Sequence, residues 1–549
     1  MKKFRFLLSL LAIAAFSSCE EYLDENNIGN VTASGYYTTA AGLEDAVRAT
    51  YGIMKEFYGP EIGWTMTVFG TDTYRAGADG SHKYMGRYDS GHNSEARYMR
   101  DTWRIFYRQV NQANAVIARA ENVGDMDATL KGQRIAEAKF LRALAYFNLV
   151  RHYGDIHLTL EETEGVEIEA NKTSTADVYA AIVSDLTAAI GGLQDNPSDY
   201  GRASIPAAQF LMAKVKLSQP SPDAAGAEAM MTAVINNPRF SLLDDFSDLW
   251  TLGNENNSEV VWSIQNAKSQ VDEGLDGFGH RGHLYFLMEY DKKPAMTRDT
   301  ENGRPWKRFR PTDYLMDVIF ADRQNDSRYD KTFKHVWYAN VGNDGGPNGV
   351  PVAVGDTALY IPGPGLDRYG VDQDGYWNAA KQASVNYEVY TSDEWDTRTF
   401  PSLNKWIDNS RPNRQHTQGQ RDFLLMRLAD AYLIRAEARL AQGNTAGAAS
   451  DINVIRTRAA WDATKVAAMQ ITAAQVDIDL ILDERARELV GEGHRWYDLK
   501  RTGQLISRVR AHNSDAQAHI QSHHVVRPIP LDQIDRTSGG YAQNPGYAQ

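Results

Sequence analysis

The chain has almost no cysteine, no excess of basic residues and no long apolar run beyond its N-terminus. One cysteine among 549 residues excludes an intramolecular disulfide framework and a metal site built from several thiolates. A net charge of -13 argues against nucleic-acid binding, because a surface that contacts phosphates needs a basic excess. After the first residues, no segment approaches the ~20 apolar residues that a membrane-spanning helix requires.

Recognisable catalytic motifs are also absent. The sequence contains no G-x-S-x-G elbow, no H-E-x-x-H pair, no Walker loop and no dinucleotide-binding fingerprint. Without them no residue can be nominated as catalytic, so the sequence favours a binding protein over an enzyme. Its 42% hydrophobic and 10% aromatic residues are typical of a globular protein, folded as one large domain or as two entwined ones.

The N-terminus predicts a lipoprotein signal peptide over residues 1–18. Met1-Lys2-Lys3 is a basic start, residues 6–16 are apolar but too few to span a bilayer, and Ser17-Ser18 precedes Cys19. This arrangement predicts cleavage before Cys19 and lipid attachment to it, so that acyl chains anchor the protein. Phe16 stands where leucine is usual, which leaves open an ordinary cleaved signal followed by an incidental cysteine.

Two parts of the chain carry the periodicity of helical hairpins. In residues 19–238, apolar residues recur at helical spacing in several segments of similar length, without an exact repeat. Residues 423–549 begin with a helix whose apolar stripe recurs every fourth residue, at Leu428, Tyr432, Ala436 and Leu440. Gly443 ends that helix, and Thr445 is positioned to cap the next one. The predicted fold class is mostly α, with degenerate tetratricopeptide-like hairpins forming a scaffold.

Residues 239–422, between these two parts, have a different character. Gly, Pro, Asp and Asn are frequent there, β-like pieces such as residues 259–264 are short, and residues 342–375 are too rich in Gly and Pro to be regular. Residues 64–89 form a second loop-rich stretch, crowded with Gly and aromatic residues. Long loops in a compact protein are often functional. We therefore expect a loop-rich, irregular α+β cap that carries the binding surface.

Aromatic residues in these loops are the candidates for binding a sugar. The apolar face of a sugar ring packs flat on an aromatic ring, and polar neighbours bind the hydroxyl groups at its edge. The candidate carbohydrate-binding residues are Trp306, Trp337, Trp377, Tyr376, Tyr84, Trp64, Tyr74 and Arg75, with Trp395 as a further loop aromatic. For any one ring, the alternative is a staple that holds its own loop. Tryptophans in regular apolar patterns are expected in the core, namely Trp103, Trp250, Trp262, Trp461 and Trp496.

Glu484, Glu488 and Glu492 form a carboxylate row at i, i+4 and i+8 on one helix face. Paired carboxylates hydrolyse glycosides only when they flank a cleft from opposite sides, which a row on one face cannot do alone. The arginines nearby in sequence are Arg485, Arg487 and Arg495. A structural network of ion pairs is therefore predicted.

Asp367, Asp372 and Asp374 precede Gly375 and resemble loops that hold calcium through oxygen ligands. The spacing lacks the glutamate that closes an EF-hand loop, and Asp-Gly is a common turn. No cofactor or functional metal is therefore predicted, and a structural calcium ion stays an open alternative.

Several motifs, in this order along the chain, resemble those of the SusD/RagB family of outer-membrane nutrient-binding lipoproteins. They are residues 137–147 with Tyr153-Gly154-Asp155, then Asp326-Ser327-Arg328-Tyr329, then Glu484-Arg485 through Asp498-Leu499 to Arg501-Thr502-Gly503, and finally Pro528-Ile529-Pro530 with Gln543-Asn544-Pro545-Gly546-Tyr547. No single motif is decisive, but their ordered combination is specific. The resemblance spans nearly the whole mature chain.

The resemblance implies a SusD-like fold and a lipid-anchored position on the outer face of the outer membrane. The acidic run Glu20, Glu21, Asp24 and Glu25 resembles the family's export tag. It further implies that the protein captures an oligosaccharide and delivers it to a SusC-like TonB-dependent transporter. Capture of oligopeptides by a member of the same family is an alternative, and other classes are a secreted glycoside hydrolase or a scaffold that binds only proteins. The 11 Trp and 28 Tyr residues favour sugars weakly.

Overall fold

Antiparallel helices build the N-terminal part of the fold. The structure is a computed structural model that describes residues 36–80, 82–163, 165–266, 279–363 and 385–548. The helices of this part are α1 (Ala40–Ile53), α2 (Glu61–Thr67), α3 (Lys83–Arg87), α4 (Arg97–Arg119), α5 (Ala128–Tyr153), α6 (Thr175–Gly192), α7 (Ile205–Ser218) and α8 (Ala224–Ile235). Helix α5 packs against α4 and α6, and α7 packs against α6 and α8, which confirms the predicted hairpins. None of the helices in the described ranges is both long and apolar enough to cross a bilayer.

Side-chain caps determine where several of these helices begin. The carboxylate of Asp127 accepts hydrogen bonds from the backbone N–H groups of Thr129 and Leu130 at the start of α5. Ser174 caps α6 in the same way, and Ser204 caps α7, which also has a proline in its first turn. Each cap satisfies a backbone donor that has no partner within the helix, and is typically worth about 1 kcal/mol.

Within its described residues, the part predicted to be loop-rich contains two short α-helices, α9 (Gly282–Tyr285) and α10 (Arg328–Thr332), together with short 3-10 and π-helical segments and small sheets. The strands in the described residues, of which the first and the last lie outside that part, are β1 (Tyr74–Ala76), β2 (Val260–Ile264), β3 (Phe309–Pro311), β4 (Phe333–Lys334), β5 (Val336–Tyr338), β6 (Thr357–Tyr360), β7 (Glu388–Val389), β8 (Ser402–Leu403) and β9 (Phe423–Arg427). The pairs β1–β3, β2–β9 and β4–β8 are antiparallel. Strands β5, β6 and β7 form a mixed sheet, in which β6 and β7 are parallel.

The C-terminal part opens with the predicted hairpin of α11 (Leu428–Ala441) and α12 (Thr445–Ala459). Gly443 has a φ of 78°, the left-handed conformation expected after a helix end. The N-cap of α12 is Asn444 and not Thr445, because the Asn444 side chain accepts the Gly447 N–H at 2.8 Å while Thr445 is already helical. The remaining helices are α13 (Val466–Met469), α14 (Ile478–Glu488), α15 (Arg495–Arg501), α16 (Leu505–His512) and α17 (Leu531–Arg536).

A common core joins the three parts predicted from the sequence. One continuous cluster of buried apolar side chains extends from Met54 to Tyr541. Strand β2, which is buried along its whole length, pairs with β9 across the predicted boundary at residue 422. Strand β1 pairs with β3 across the boundary at residue 238. The loop-rich cap and the helical scaffold are therefore packed on the same hydrophobic core.

The carboxylate row lies within a buried network of ion pairs. Glu484 and Glu488 are on α14, Glu492 follows in the next turn, and all three are fully buried. Glu488 contacts Arg328 at 2.9 Å and Arg427 at 2.8 Å, and Arg427 also contacts Glu492 at 2.7 Å. This arrangement confirms the structural reading of the row, since its charges are enclosed by arginines and do not face a cleft.

The arginines determine the charge state of this row. Burial opposes ionisation of Glu484, but the neighbouring guanidinium groups of Arg328, Arg487 and Arg456 outweigh it and lower the pKa of Glu484 to about 2. The pKa of Glu488 is lowered as well, again against the effect of burial. The network therefore stays ionised at neutral pH.

Two of the three arginines expected to neutralise the row have other partners. Arg487 does contact it, but Arg485 pairs with Asp498 at 2.8 Å and Arg495 pairs with Asp72 at 2.7 Å. The row faces inward, towards β9 and α10, so its main cationic partners come from distant segments. Proximity in sequence did not identify those partners.

Candidate functional site

A cleft of about 540 Å³ opens between α4, the start of α2 and the segment after residue 280. This volume falls in the range of roughly 300–1,000 Å³ that is usual for ligand pockets. The aromatic residues in its wall are Tyr98, Tyr285 and Trp306. The charged ones are Glu56, Glu61, Asp101, Arg97, Arg104, Arg108 and Arg281. We refer to it as the Trp306 cleft.

Trp306 is the candidate aromatic residue that the structure places in this cleft. Its backbone N–H donates to the Leu284 carbonyl at 2.7 Å, and its ring centroid lies 5.9 Å from that of Tyr285, at an interplanar angle of 65°. Tyr285 is buried, whereas Trp306 is half-buried. The indole is therefore supported by the core and keeps exposed surface at the cleft.

The backbone next to Trp306 is strained. Lys307 has a φ of 45°, which residues other than glycine rarely adopt. Its ammonium group lies 2.9 Å from Glu289, and its carbonyl oxygen is so close to Gly77 that a Cβ there would approach within 2.1 Å. These contacts stabilise the turn between Trp306 and Arg308.

Arginine side chains surround the indole. The guanidinium carbons of Arg304 and Arg308 lie 5.6 Å and 5.1 Å from the Trp306 ring centroid, within the range of a cation–π interaction. Arg281 immediately precedes α9 and lines the cleft, and its backbone N–H donates to the Gly59 carbonyl at 3.0 Å. The aromatic surface is thus flanked by cationic hydrogen-bond donors.

The charged face of α4 forms another wall of the cleft. Arg97, Asp101, Arg104 and Arg108 recur at helical spacing and lie on one face of the helix. Arg97 pairs with Asp101 at 3.1 Å, and Arg104 pairs with Asp532 at 2.6 Å. This spacing is visible in the sequence and is the signal that could have identified the wall. The sequence-based prediction considered only the loop aromatics.

Glu61, at the start of α2, is a partly buried carboxylate in the cleft. Burial raises its pKa above the usual value, more strongly than Arg308 and the other nearby arginines lower it. The Nε of Arg308 lies 3.4 Å from Glu61 Oε1. General acids in enzymes are often carboxyl groups with a raised pKa. Glycoside hydrolysis, however, needs a second carboxylate across the scissile bond.

Three candidate residues lie in the core and not at a surface. Trp64 and Tyr74 are 1% exposed, and Trp337 is fully buried. The Trp64 Nε1–H donates to the Gly491 carbonyl at 2.8 Å, and Trp337 stacks on Tyr290 with centroids 4.8 Å apart. The expectation that these three rings form exposed platforms is wrong, because partners distant in sequence cover them.

The other candidates lie outside the cleft lining or outside the described residues. Tyr84 is half-buried with its hydroxyl 3.0 Å from His82 Nδ1, and Arg75 is half-buried and donates to the Ser514 hydroxyl. The candidates outside the described residues are Tyr376, Trp377, Cys19, Asp367, Asp372 and Asp374, whose roles stay predictions. Within the described residues, no group of three or more His, Cys, Asp or Glu is arranged to hold a metal ion.

Most of the tryptophans expected in the core are there. The buried ones are Trp103, Trp250, Trp262 and Trp496, whereas Trp461 is half-buried. Trp395, a loop aromatic, is half-buried, and its Nε1–H donates to the Tyr390 carbonyl at 3.0 Å. Trp395 therefore acts as a staple within its own loop, the alternative weighed for such residues.

Replacing Trp337 by phenylalanine separates a core role from a binding role. We expect Trp337→Phe to lower the free energy of unfolding by about 1–2 kcal/mol, because the smaller ring leaves a void against Tyr290. Ligand binding at the Trp306 cleft should be unchanged. Urea denaturation and a binding assay on the same protein preparation measure both effects. A variant of unaltered stability that no longer binds would instead identify Trp337 as a contact residue.

Family models match most of the chain. A model described as the SusD family matches residues 252–547, which include Trp306 and the buried carboxylate row. The chain belongs to the SusD family. A second model, described as "Starch-binding associating with outer membrane", matches residues 21–217, which include α4 and the start of α2.

Individual relatives and solved structures agree with this assignment. A SusD-like protein of Formosa agariphila is 28% identical over 98% of this chain and 100% of its own length. The starch-binding protein SusD of Bacteroides thetaiotaomicron is 25% identical over 80% of this chain and 76% of its own. A laminarin-binding SusD-like protein superposes with a TM-score of 0.68 at 24% identity, covering 93% of this chain and 100% of that one.

A further solved structure, surface glycan-binding protein A of Bacteroides thetaiotaomicron in complex with laminarihexaose, gives a TM-score of 0.68 at 18% identity. The superposition covers 92% of this chain and 99% of that one. These structural likenesses show the SusD-like fold, a mostly helical scaffold with small sheets, and confirm the predicted fold class.

Proposed function

We propose that the protein is a cell-surface lipoprotein that captures oligosaccharides in the Trp306 cleft and delivers them to a SusC-like TonB-dependent transporter. The observation that carries the glycan part is the half-buried Trp306 at the edge of a cleft with charged walls. A sugar ring would stack its C–H face on the indole, while its hydroxyl groups bond with the guanidinium and carboxylate groups around it. Relatives whose names describe starch, laminarin or glycan binding support this proposal.

Electrophoresis of the purified protein through gels that contain individual polysaccharides tests the proposal. At least one polysaccharide should retard the protein, with a Kd between ~1 µM and 1 mM, equivalent to about 4–8 kcal/mol of binding free energy. Bovine serum albumin run in the same gels corrects for retardation by viscosity. A protein that no polysaccharide retards, but that binds a library of oligopeptides, would overturn the glycan part and favour the peptide-binding alternative.

The glycoside hydrolase alternative has one observation in its favour, the raised pKa of Glu61 within the cleft. The samples from the polysaccharide panel are therefore also assayed for new reducing ends. We expect none, because binding and not hydrolysis is the proposed activity. Reducing ends that form with the wild type and disappear with Glu61→Gln would show that the cleft is catalytic.

The predicted lipid anchor can be tested separately. We expect Cys19→Ala to release the protein from membranes without affecting its fold, because Cys19 directly follows the apolar export segment. Fractionation of cells that lack the transporter measures this, since binding to the transporter could otherwise retain the variant. Ser18→Ala keeps a small residue before the cleavage site and is the matched control. A Cys19→Ala protein that stays in the membrane fraction to the wild-type extent would contradict lipidation.

A further inference from the structure

The Trp306 cleft is locally cationic in a chain of opposite charge. The chain has a net charge of -13, yet six arginines lie in or beside the cleft: Arg97, Arg104, Arg108 and Arg281 in its lining, and Arg304 and Arg308 against the Trp306 ring. The carboxylates of the lining are Glu56, Glu61 and Asp101. The cleft therefore concentrates positive charge where the surface as a whole is negative.

The arginines of α4 differ from those around the indole. Arg97 and Arg104 have carboxylate partners at 3.1 Å and 2.6 Å, and Arg108 pairs with Glu56. Their charges are largely neutralised by carboxylates of the protein itself. They shape the wall of the cleft but leave little attraction for an external anion.

The arginines near Trp306 keep free donors. In the described part of the chain, the Nε atoms of Arg281, Arg304 and Arg308 are buried and have no hydrogen-bond acceptor. Within the described residues, Arg304 has one side-chain hydrogen bond, from Nη1 to the Gln415 carbonyl at 2.8 Å, and the one ion pair of Arg308 is the 3.4 Å contact of its Nε with Glu61. Among the described residues, Nη1 of Arg304 is the one terminal guanidinium nitrogen of these three arginines that has a hydrogen-bond acceptor, so the other terminal N–H groups are available to the oxygens of an anionic ligand in the cleft.

We infer that the glycan bound in the Trp306 cleft carries anionic groups, either uronic carboxylates or sulfate esters, that Arg281, Arg304 and Arg308 bind while a sugar ring stacks on Trp306. This inference rests on the proposed function. Both anions present planar or tripodal oxygens that a guanidinium group contacts through two N–H donors at once. Arg304 and Arg308 lie close enough to the indole to reach a substituent on the stacked ring.

Matched pairs of polysaccharides test the charge requirement. One pair is polygalacturonate and its carboxyl-reduced product, and the other is a sulfated fucan and its desulfated product. In at least one pair, the charged member should bind at least about tenfold more tightly by isothermal titration calorimetry. The pair that shows the difference identifies the anion as carboxylate or sulfate. Raising NaCl from about 50 to 500 mM should weaken this binding, because salt screens the attraction.

Variants of the free arginines test the residues. Arg281→Gln and Arg304→Gln should each weaken binding of the charged polysaccharide by about tenfold and leave its neutral partner little affected. Arg48→Gln is the matched control, because Arg48 is exposed, pairs with Glu44 on its own helix and does not line the cleft. Circular dichroism checks that each variant is folded. If one of the two arginine variants does not fold, the test relies on the other.

The outcomes separate this inference from the proposed function. If neutral and charged members of both pairs bind equally, or if both arginine variants bind normally, the ligand is not selected for its charge. Should Trp306→Ala then still weaken binding, the proposed glycan function stands and the inference is overturned. If no polysaccharide binds at all, both the proposed function and the inference fail.

Discussion

Replacing Arg427 by methionine is expected to lower the free energy of unfolding by about 3–5 kcal/mol. The guanidinium group of Arg427 is buried and lies 3.1 Å from Glu259, 2.8 Å from Glu488 and 2.7 Å from Glu492. Methionine replaces the aliphatic part of the arginine side chain but carries no charge, so these carboxylates would lose a shared partner without gaining water. Chemical denaturation of wild type and variant measures the difference.

Two further variants make the Arg427 prediction specific. Arg48→Met removes an exposed guanidinium that contacts Glu44 at 3.5 Å, and should change stability by no more than about 0.5 kcal/mol. Glu492 also contacts Lys405 at 2.6 Å, so adding Glu492→Gln to Arg427→Met should not restore the lost stability, because it leaves the buried Lys405 ammonium group without its carboxylate partner. An Arg427→Met protein as stable as wild type would show that the network is not a major source of stability.

Acidification should destabilise the protein progressively below pH 6.5. Burial lowers the pKa of His280 and of His494 to about 3, whereas both would titrate near pH 6.5 in the unfolded chain. Between these values the unfolded state binds a proton that the folded state does not. Each histidine therefore lowers the free energy of unfolding by about 1 kcal/mol for every unit that the pH falls in this range. The pKa values of other buried histidines are lowered in the same direction, namely those of His92, His152 and His283.

Two carboxyl groups modify this dependence in opposite directions. Burial raises the pKa of Asp422 to about 6, so the folded state gains stability as this group takes up its proton between about pH 6 and 4. The pKa of Glu484 is lowered to about 2, so its contribution to stability is present above pH ~4.3 and is lost as the pH falls towards 2. Because several histidines oppose the single effect of Asp422, the free energy of unfolding should fall by about 5 kcal/mol or more from pH 7.5 to 4.

Urea denaturation at several pH values between 7.5 and 4 measures how steeply the free energy of unfolding falls with pH. His280→Gln should reduce this slope, because one buried group that resists protonation is removed. His519→Gln, at an exposed position, is the matched control for the substitution. A free energy of unfolding that is constant between pH 7.5 and 5 would contradict the assignment of buried neutral histidines.

The helical part of the fold could be predicted because its signals are local. The apolar residues spaced by four from Leu428 to Leu440 and the stop at Gly443 both act within a few residues, and the helix Leu428–Ala441 formed where it was expected. Residues 64–89 were expected to be loop-rich but include the end of α2 and all of α3. Their glycines and aromatics pack against distant parts of the chain, which local spacing does not reveal.

The candidate site was predicted only in part, for the same physical reason. Trp64, Trp306 and Trp337 look alike in the sequence, since none lies in a regular apolar period. The first is covered by residues near Gly491 and the third by Tyr290, whereas Trp306 remains at the edge of a cleft. Which loop aromatic stays exposed depends on contacts between distant segments, so composition could suggest a platform but not locate it.

The measurement that tests the central proposal most directly is the affinity of Trp306→Ala for the polysaccharide that the wild type binds. We expect binding about tenfold weaker by isothermal titration calorimetry, because one stacking surface is lost. Trp395→Ala is the control, since Trp395 is a loop staple outside the cleft lining and should not affect binding. Circular dichroism and melting curves of Trp306→Ala should stay near wild type. A folded Trp306→Ala protein with wild-type affinity would contradict the assignment of this cleft as the glycan site.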